Sequence, residues 1–285
     1  MVLGDFVVQT LHGLQYAFIL FLIAIGLSVV FGVMGVLNLA HGELFALGAY
    51  VSLGVFGYIV GNVGAPSGTV EQVIFVVTVL AAALVVAAIL LPVGAIMETV
   101  FMRPVYGRQE VYELMLTFGL LLILVDVKKF IWGARPQRVE SVYQGVNSIQ
   151  LANAFGLNYP TYNLLIIVIG ALLFGVVWWF FAATKTGRII RATAIDREMA
   201  TAIGVSTARI FTLVFAASAF LAGFAGALIV PPTSATLFMG LTPLVLSFVV
   251  LVIGGLGSIE GTVVGALVVG LTSRWGIWLY PPAEL

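Results

Sequence analysis

Long uninterrupted apolar runs dominate this sequence, and short polar stretches separate them. Crossing a bilayer as a helix takes about 20 apolar residues. Eight runs approach or exceed that length: 6–31, 36–60, 73–97, 111–131, 162–183, 208–230, 241–256 and 262–280. They are continuous rather than alternating, which disfavours a β-barrel. The pattern predicts an all-α, polytopic membrane bundle of about eight transmembrane helices, with interrupted or re-entrant segments.

Two of these runs carry an interruption. The seventh is short and contains Gly254-Gly255, so we expect a broken or re-entrant helix there. Residues 37–42 and 256–261 also share a pattern: a polar residue precedes a glycine, and a helix rich in small residues follows. Interrupted segments that match in two halves of a chain are typical of transporters.

Composition supports a location in the bilayer. The chain is 62% hydrophobic and 8% charged, whereas soluble domains carry about 25% charged residues. Its net charge of zero gives no electrostatic case for binding nucleic acid. The absence of cysteine excludes disulfides, and no His, Asp or Glu spacing resembles a metal site, so we predict neither metal nor cofactor. The first run lacks a basic n-region and a cleavage site, which favours a retained span.

Basic residues predict the orientation of the spans, because short cytoplasmic loops are enriched in Lys and Arg. The loop with Arg103 and Arg108 and the stretch 184–209 are both basic, and two spans separate them. We therefore expect both on the cytoplasmic side. Residues 133–161 and the N-terminus are then outside. This assignment places four basic residues on the outside, contrary to the enrichment of Lys and Arg in cytoplasmic loops: Lys128, Lys129, Arg135 and Arg138.

The polar stretch 184–206 is too long for a tight turn between spans. Its apolar residues recur at helical spacing and predict a short amphipathic helix that Gly204 terminates. Ser206 or Thr207 can cap the next helix. Such a helix either lies in the headgroup layer or docks into a groove of a partner protein. The predicted apolar face consists of Ala192, Ile195, Met199, Ala202 and Ile203.

Four motifs in this order resemble one family. Residues 38–43 (NLAHGE) are similar to its NFAHG signature, residues 187–192 (GRIIRA) with Asp196, Ala200 and Gly204 to its coupling loop, residues 221–226 (LAGFAG) to LAGxAG, and residues 254–261 (GGLGSIEG) to GGLGSxxG. On these motifs the chain resembles the branched-chain amino acid permeases of ABC importers, of the LivH type. Members usually continue through another span to a basic tail. This sequence stops at Leu285, so we expect a final helix to be missing from it.

The resemblance implies one transmembrane permease domain over 1–285, with a cytoplasmic coupling loop at about 184–207. The implied partners are a sister permease, two cytoplasmic ATPase subunits and an extracytoplasmic substrate-binding protein, in the plasma (inner) membrane of a bacterium or archaeon. No G-x-x-x-x-G-K-[ST] phosphate loop is present in the sequence. We therefore expect no enzyme activity in this chain, and ATP hydrolysis in a partner.

The residues leave other functions open. A permease for urea or short amides, from a related branch of the same family, is one alternative. A stand-alone channel or secondary carrier needs charges along a path through the bilayer, of which few are present. A membrane enzyme needs a nucleophile, base or metal cluster at membrane depth, and none is recognisable.

The resemblance points to two sets of functional residues. Coupling to the ATPase is assigned to Gly187, Arg188, Arg191, Ala192, Asp196, Ala200 and Gly204. The substrate path is assigned to Asn38, His41, Gly42, Glu43, Gly255 and Gly257. Each assignment has a simpler alternative. In the first, the charged residues of the coupling loop are only solvated. In the second, Asn38 and His41 only cap helix ends and connect spans.

Two local ion pairs are also predicted. Glu98 lies close in sequence to Arg103, and we expect them to pair. Asp126 precedes Lys128 and Lys129 near the end of a predicted span, and a local pair is favoured there over a proton relay.

Overall fold

The computed structural model describes residues 2–62, 66, 68–147 and 159–279, and this part of the chain is mainly helical. Its first half contains five α-helices: α1 (Val2–Met34), α2 (His41–Gly61), α3 (Thr69–Ile96), α4 (Glu110–Trp132) and α5 (Glu140–Asn147). Six follow in the second half: α6 (Thr161–Ala183), α7 (Lys185–Ile195), α8 (Arg197–Ala202), α9 (Thr207–Ile229), α10 (Leu241–Gly254) and α11 (Ile259–Leu279). The described residues form no β-strand beyond an isolated bridge between Gln137 and Ala235.

A helix occupies each of the eight predicted spans. Five segments are long and apolar enough to cross a membrane: Gly4–Met34, Val70–Val105, Thr161–Ala183, Thr207–Ile229 and Ile259–Leu279. Helix α10 has only 14 residues, about 21 Å of helix against a hydrocarbon core of about 30 Å. The prediction of a short seventh segment is therefore confirmed. The end of the chain, where a missing final helix is expected, lies outside the described residues.

Helix α1 is the central helix of the bundle. Its middle section is fully buried, with Leu20, Ile23 and Ala24 all at 0% exposure. Helices α6, α9, α10 and α11 surround it. The outer helices instead present large apolar side chains outward, among them Val77 on α3 and Leu172 on α6. An apolar core inside an apolar surface is the arrangement that a lipid environment requires.

Glycines allow α2 and α9 to pack with their backbones in contact. A Cβ atom added to Gly226 would lie 2.1 Å from the carbonyl oxygen of Phe45, and one added to Gly48 would lie 2.4 Å from the Cα atom of Gly223. Small residues at such crossings are typical of membrane helix pairs. The LAGFAG sequence is thus explained by packing.

Two non-helical connectors run into the interior of the bundle. Residues 35–40 lead from α1 to α2, and residues 230–240 lead from α9 to α10. The side chain of His41, at the start of α2, reaches Ile23 in α1 and Ser218 in α9, both far from the ends of their helices. Helix α2 therefore begins about halfway along the bundle, which agrees with the interruption predicted around residues 38–42.

The two predicted cytoplasmic loops lie at the same end of the bundle. Helix α3 continues as a π-helical turn (Met97–Met102) and a short 3-10 helix (Arg103–Val105). Arg103 then contacts Thr212, in the second turn of α9. We call this end, which also holds α7 and α8, the loop end of the bundle. The structure agrees with the predicted parity of the spans.

Candidate translocation and coupling sites

The start of α2 is built by the side chain of Asn38. Its amide oxygen accepts a hydrogen bond from the Ala40 N–H at 3.0 Å, and its backbone carbonyl accepts one from the His41 N–H at 3.2 Å. The Asn38 amide nitrogen is buried and has no hydrogen-bond partner among the described residues. Asn38 therefore shapes the interruption and leaves one donor unused inside the bundle.

His41 connects three helices. Its Nε2 atom lies 2.9 Å from the carbonyl oxygen of Ile23 in α1, and its Nδ1 atom lies 3.3 Å from the Ser218 hydroxyl in α9. A carbonyl oxygen only accepts, so Nε2 carries the proton. In the neutral ring Nδ1 then accepts from Ser218. The ring connects α1, α2 and α9, which agrees with the simpler alternative that His41 connects spans.

Gly42 brings the first turns of two helices into contact. A Cβ atom on Gly42 would lie 2.4 Å from the carbonyl oxygen of Gly240 and 2.8 Å from Cβ of Leu244. Gly240 is the residue before α10. Both α2 and α10 therefore begin at this point, inside the bundle. The N-termini of two helices carry partial positive charge, and here they meet in the interior.

A fully buried ion pair lies beside this contact. The Lys128 ammonium of α4 donates to the Glu43 carboxylate of α2, and both side chains have 0% exposure. The ammonium also donates to the carbonyl of Leu237 at 2.8 Å and lies 5.7 Å from the ring centroid of Tyr50. One lysine thus joins α2, α4 and the 230–240 connector. Glu43 Oε1 and the Tyr50 hydroxyl have no partner among the described residues.

This pair corrects two predictions. The sequence predicts Lys128 outside the membrane, and it predicts a local pair of Asp126 with the adjacent Lys128 and Lys129. Lys128 instead points inward, because it continues the buried stripe of α4 that includes Thr117, Leu121 and Val125. That helical spacing was the available signal for Lys128. Its partner is 85 residues away in sequence, so no local pattern identifies Glu43.

The predicted pair of Glu98 and Arg103 is confirmed. The two side chains approach to 2.6 Å, and Glu98 is buried within the π-helical turn. The Thr212 hydroxyl lies 2.7 Å from both groups, accepting from Arg103 and donating to Glu98. The cluster fixes the end of α3 to the start of α9 at the loop end.

Gly255 and Gly257 lie elsewhere. Both adopt positive φ, at 88° and 81°, in the turn between α10 and α11. A Cβ atom on Gly257 would lie 3.3 Å from the Cα atom of Gly32, near the end of α1. Gly42 contacts the opposite end of α10, about 21 Å away along a 14-residue helix. The six predicted path residues therefore form two separate groups.

The coupling loop contains two helices where one was predicted. Helix α7 ends at Ile195 and α8 begins at Arg197, because Asp196 adopts an extended backbone between them. The Asp196 carboxylate accepts from the Met199 N–H at 2.8 Å and so caps α8. The sequence pattern missed this break because the apolar spacing continues across it. Gly204, with φ of 90°, ends the segment as predicted.

The predicted coupling residues divide into buried and exposed ones. Gly187 is buried, and a Cβ atom there would lie 2.3 Å from the carbonyl oxygen of Phe180, so α7 turns back tightly on α6. Ala200 is also buried. Arg188, Arg191 and Ala192 are exposed. Gly187 and Ala200 therefore shape the loop, whereas Arg188, Arg191 and Ala192 are available for contact with another molecule.

An apolar surface is exposed on the coupling loop. Ile195, Met199 and Ile203 are 87%, 60% and 73% exposed. All three belong to the predicted apolar face, which does not pack on the bundle. We call these three residues the loop patch. Large apolar side chains at this exposure, next to basic ones, suit contact with another molecule.

Aromatic contacts connect the coupling loop to the bundle. The Arg197 guanidinium lies 4.6 Å from the ring centroid of Phe211 in α9, and Phe211 packs edge-on against Tyr106 at 5.4 Å. The Tyr106 hydroxyl lies 3.5 Å from the sulfur of Met34, at the end of α1. No local sequence pattern indicates this series of contacts, since its members are far apart in the chain.

Comparison with known proteins agrees with this architecture. The family model described as "Branched-chain amino acid transport system / permease component" matches residues 9–285. The permease protein LivH of the high-affinity branched-chain amino acid transport system of Escherichia coli (strain K12) is 28% identical over 272 residues, covering 93% of this chain and 84% of the relative. The corresponding BraD of Pseudomonas aeruginosa is 26% identical over 274 residues, with 94% and 85% covered.

A weaker match extends to another substrate class. The fructose import permease protein FrcC of Rhizobium meliloti is 28% identical over 179 residues, which is 59% of this chain and 48% of the relative. No solved structure matches the chain. Because the family model covers nearly all of the sequence, this multi-pass membrane protein belongs to the family of branched-chain amino acid transport permeases.

Proposed function

We propose that this chain is the permease subunit of an ATP-driven importer of branched-chain amino acids in a prokaryotic plasma membrane. Residues 1–285 form its single transmembrane domain. It acts with a sister permease, two ATPase subunits on the cytoplasmic side and an extracytoplasmic binding protein. The family match carries this proposal. The helical bundle with its helix starts in the interior supports it.

The loop patch supports the proposed coupling. An ATPase subunit that grips Ile195, Met199 and Ile203 would bury apolar surface that is otherwise exposed. Movement of α8 would reach α9 and α1 through the Arg197–Phe211–Tyr106 contacts. ATP would then shift the bundle between its states, to the extent that the ATPase binds one state more tightly.

The proposed substrate path passes the starts of α2 and α10. Asn38 and Glu43 present unused hydrogen-bonding groups there, and two helix N-termini face each other across Gly42 and Gly240. Interrupted helices near the middle of the membrane are typical of transporter binding sites. The Glu43–Lys128 pair then closes the path in the conformation described.

Uptake by the reconstituted complex tests this function. Proteoliposomes should contain this chain with its sister permease and ATPase subunits, with labelled leucine, valine, urea or acetamide outside together with the binding protein. We expect ATP-dependent uptake of leucine and valine and none of urea or acetamide. Uptake by this chain alone without ATP would instead establish a channel or carrier. Preference for urea would support the alternative substrate class.

Arg191→Glu tests the coupling assignment. The substitution reverses one exposed charge of α7 without removing a hydrogen bond or an ion pair of the described structure. We expect uptake to fall about tenfold or more, which corresponds to a loss of about 1.4 kcal/mol of coupling free energy. Expression and ATPase activity should persist. Arg135→Glu, an exposed change at the opposite end of the bundle, is the matched control. Normal transport by Arg191→Glu at normal expression would exclude Arg191 from coupling.

A further inference from the structure

A cavity lies at the loop end, apart from the Glu43–Lys128 pair. Its volume is about 290 Å³. The last third of α1, the end of α6, α7 and the α10–α11 turn line it. Six residues determine its character: Arg191, Glu260, Trp178, Phe181, Val29 and Val33.

The cavity contains one cation and one anion that do not pair with each other. Arg191 belongs to α7, and Glu260 belongs to the first turn of α11. The ion pairs of the described residues are Arg103–Glu98, Lys128–Glu43 and Arg138–Glu140. Arg191 and Glu260 are therefore both available to a ligand that carries two opposite charges.

The remaining wall is apolar and aromatic. Val29 and Val33 line it from α1, and Trp178 and Phe181 line it from α6. Ligand cavities have volumes of about 300 Å³ or more, so this one suits a single small molecule. A guanidinium binds a carboxylate through two parallel hydrogen bonds, and a carboxylate accepts from an ammonium. A zwitterion with an apolar side chain satisfies all of these groups together.

We propose that this cavity binds an α-amino acid with an apolar side chain from the cytoplasm, and that the imported substrate thereby inhibits its own uptake. The inference rests on the proposed function for the orientation of the loop end and for the identity of the substrate. The carboxylate of the ligand pairs with Arg191 and its ammonium with Glu260. Its side chain packs against Trp178, Phe181 and the valines of α1.

The position of the cavity explains the inhibition. A ligand between Arg191 and Glu260 links α7 to the α10–α11 turn. Gly257 of this turn already packs on Gly32 near the end of α1, so the ligand would link α7 through the turn to the central helix. The ligand favours the conformation in which these elements are close, and it opposes any cycle that moves α7 away. High internal amino acid then lowers the rate of uptake.

The test uses the full complex in phosphatidylcholine liposomes, whose quaternary ammonium head groups have no N–H to donate to a carboxylate. Uptake of labelled leucine is measured with ATP inside and with unlabelled leucine inside at increasing concentration. We expect saturating internal leucine to slow uptake about fivefold or more, the lower range of allosteric effects. Glu260→Gln and Trp178→Ala should transport normally without internal leucine and lose the inhibition. Glu140→Gln, at the opposite end, should retain it.

Two leucine analogues test the need for both charges. Internal 3-methylbutylamine lacks the carboxylate, and internal 4-methylpentanoate lacks the ammonium, so neither should inhibit like leucine. Uptake that is insensitive to internal leucine, or equally inhibited in Glu260→Gln, overturns the inference while leaving the importer intact. Absence of ATP-dependent uptake even without internal leucine refutes the proposed function instead.

Discussion

At the scale of single residues, the Glu43–Lys128 pair sets the strongest constraint on the bundle. Removing an ion from water into a protein interior costs several kcal/mol even after relaxation. Each of these two charges has 0% exposure, so each depends on the other for compensation. The Leu237 carbonyl adds one acceptor for the ammonium. The pair is therefore stable only as a unit.

Lys128→Met should destabilise the chain strongly. The substitution removes the cation and leaves the Glu43 carboxylate buried without it, a change that costs about 3–5 kcal/mol. We expect a clear fall in the thermal unfolding temperature of the detergent-solubilised complex. Lys129→Met, the exposed neighbour, should shift the stability by no more than about 0.5 kcal/mol.

The double substitution Glu43→Gln with Lys128→Met separates the pair from general damage to the fold. With both charges absent, no ion remains buried without a partner, so the double variant should be more stable than Lys128→Met alone. Additive losses in this cycle would mean that the two side chains do not interact. Uptake measured on the same variants reports whether the pair also takes part in transport.

Gly42→Ala tests the contact of α2 with the start of α10. The new methyl group would lie 2.4 Å from the Gly240 carbonyl oxygen, and overpacking of this kind costs about 1–3 kcal/mol. Gly54→Ala is the matched control, because it lies in the same helix with nothing within 4 Å. We expect a lower unfolding temperature and reduced uptake for Gly42→Ala only. Equal effects of the two variants would contradict the close packing described.

At the scale of elements, the coupling loop is a corner of two short helices fixed at both ends. Thr184 caps α7 by accepting from the Gly187 N–H at 3.0 Å, and Asp196 caps α8. Arg197 then holds α8 to α9 through the Phe211 ring. The loop patch is presented outward on this fixed corner, so its apolar residues are preorganised for a partner.

Ile195→Asp should weaken assembly with the proposed ATPase subunit. The side chain is 87% exposed, so the substitution places a charge on the loop patch without disturbing the core. We expect recovery of the ATPase in affinity purification to fall about tenfold, which corresponds to about 1.4 kcal/mol. Ile195→Leu keeps the apolar character and should assemble normally. Full recovery of the ATPase with Ile195→Asp would exclude the patch from the interface.

The helices of this chain can be predicted from its sequence, whereas the contacts between distant helices cannot. Continuous apolar runs identify the spans, and Gly204 and the Gly254-Gly255 pair mark real ends. The break at Asp196 was missed because apolar spacing carries no information about a backbone that changes direction. The roles of Lys128 and Ser218 depend on partners 85 and 177 residues away. The helical spacing of the buried residues along α4 is the only sequence signal that Lys128 faces the interior.

At the scale of the whole molecule, the two interior connectors enter from opposite ends. Residues 35–40 follow α1 at the loop end, where Tyr106 contacts Met34. Residues 230–240 enter from the other end, where Ala235 bonds to Gln137 beyond α4. The helices that follow each connector begin in contact at Gly42 and Gly240. The Glu43–Lys128 pair lies beside this contact, where the two connectors meet.

The absence of cysteine makes the orientation of this whole arrangement directly measurable. Single cysteines at exposed Glu198 and Arg135 lie at opposite ends of the bundle. With the loop end in the cytoplasm, a membrane-impermeant maleimide added to intact cells should label Arg135→Cys and spare Glu198→Cys. Permeabilised cells should show labelling of both, whereas Ala83→Cys, fully buried, should react only after denaturation. Labelling of Glu198→Cys in intact cells would put α7 and α8 outside. An ATPase inside the cell could then not reach them, and both the importer and the internal amino acid site would have to be abandoned.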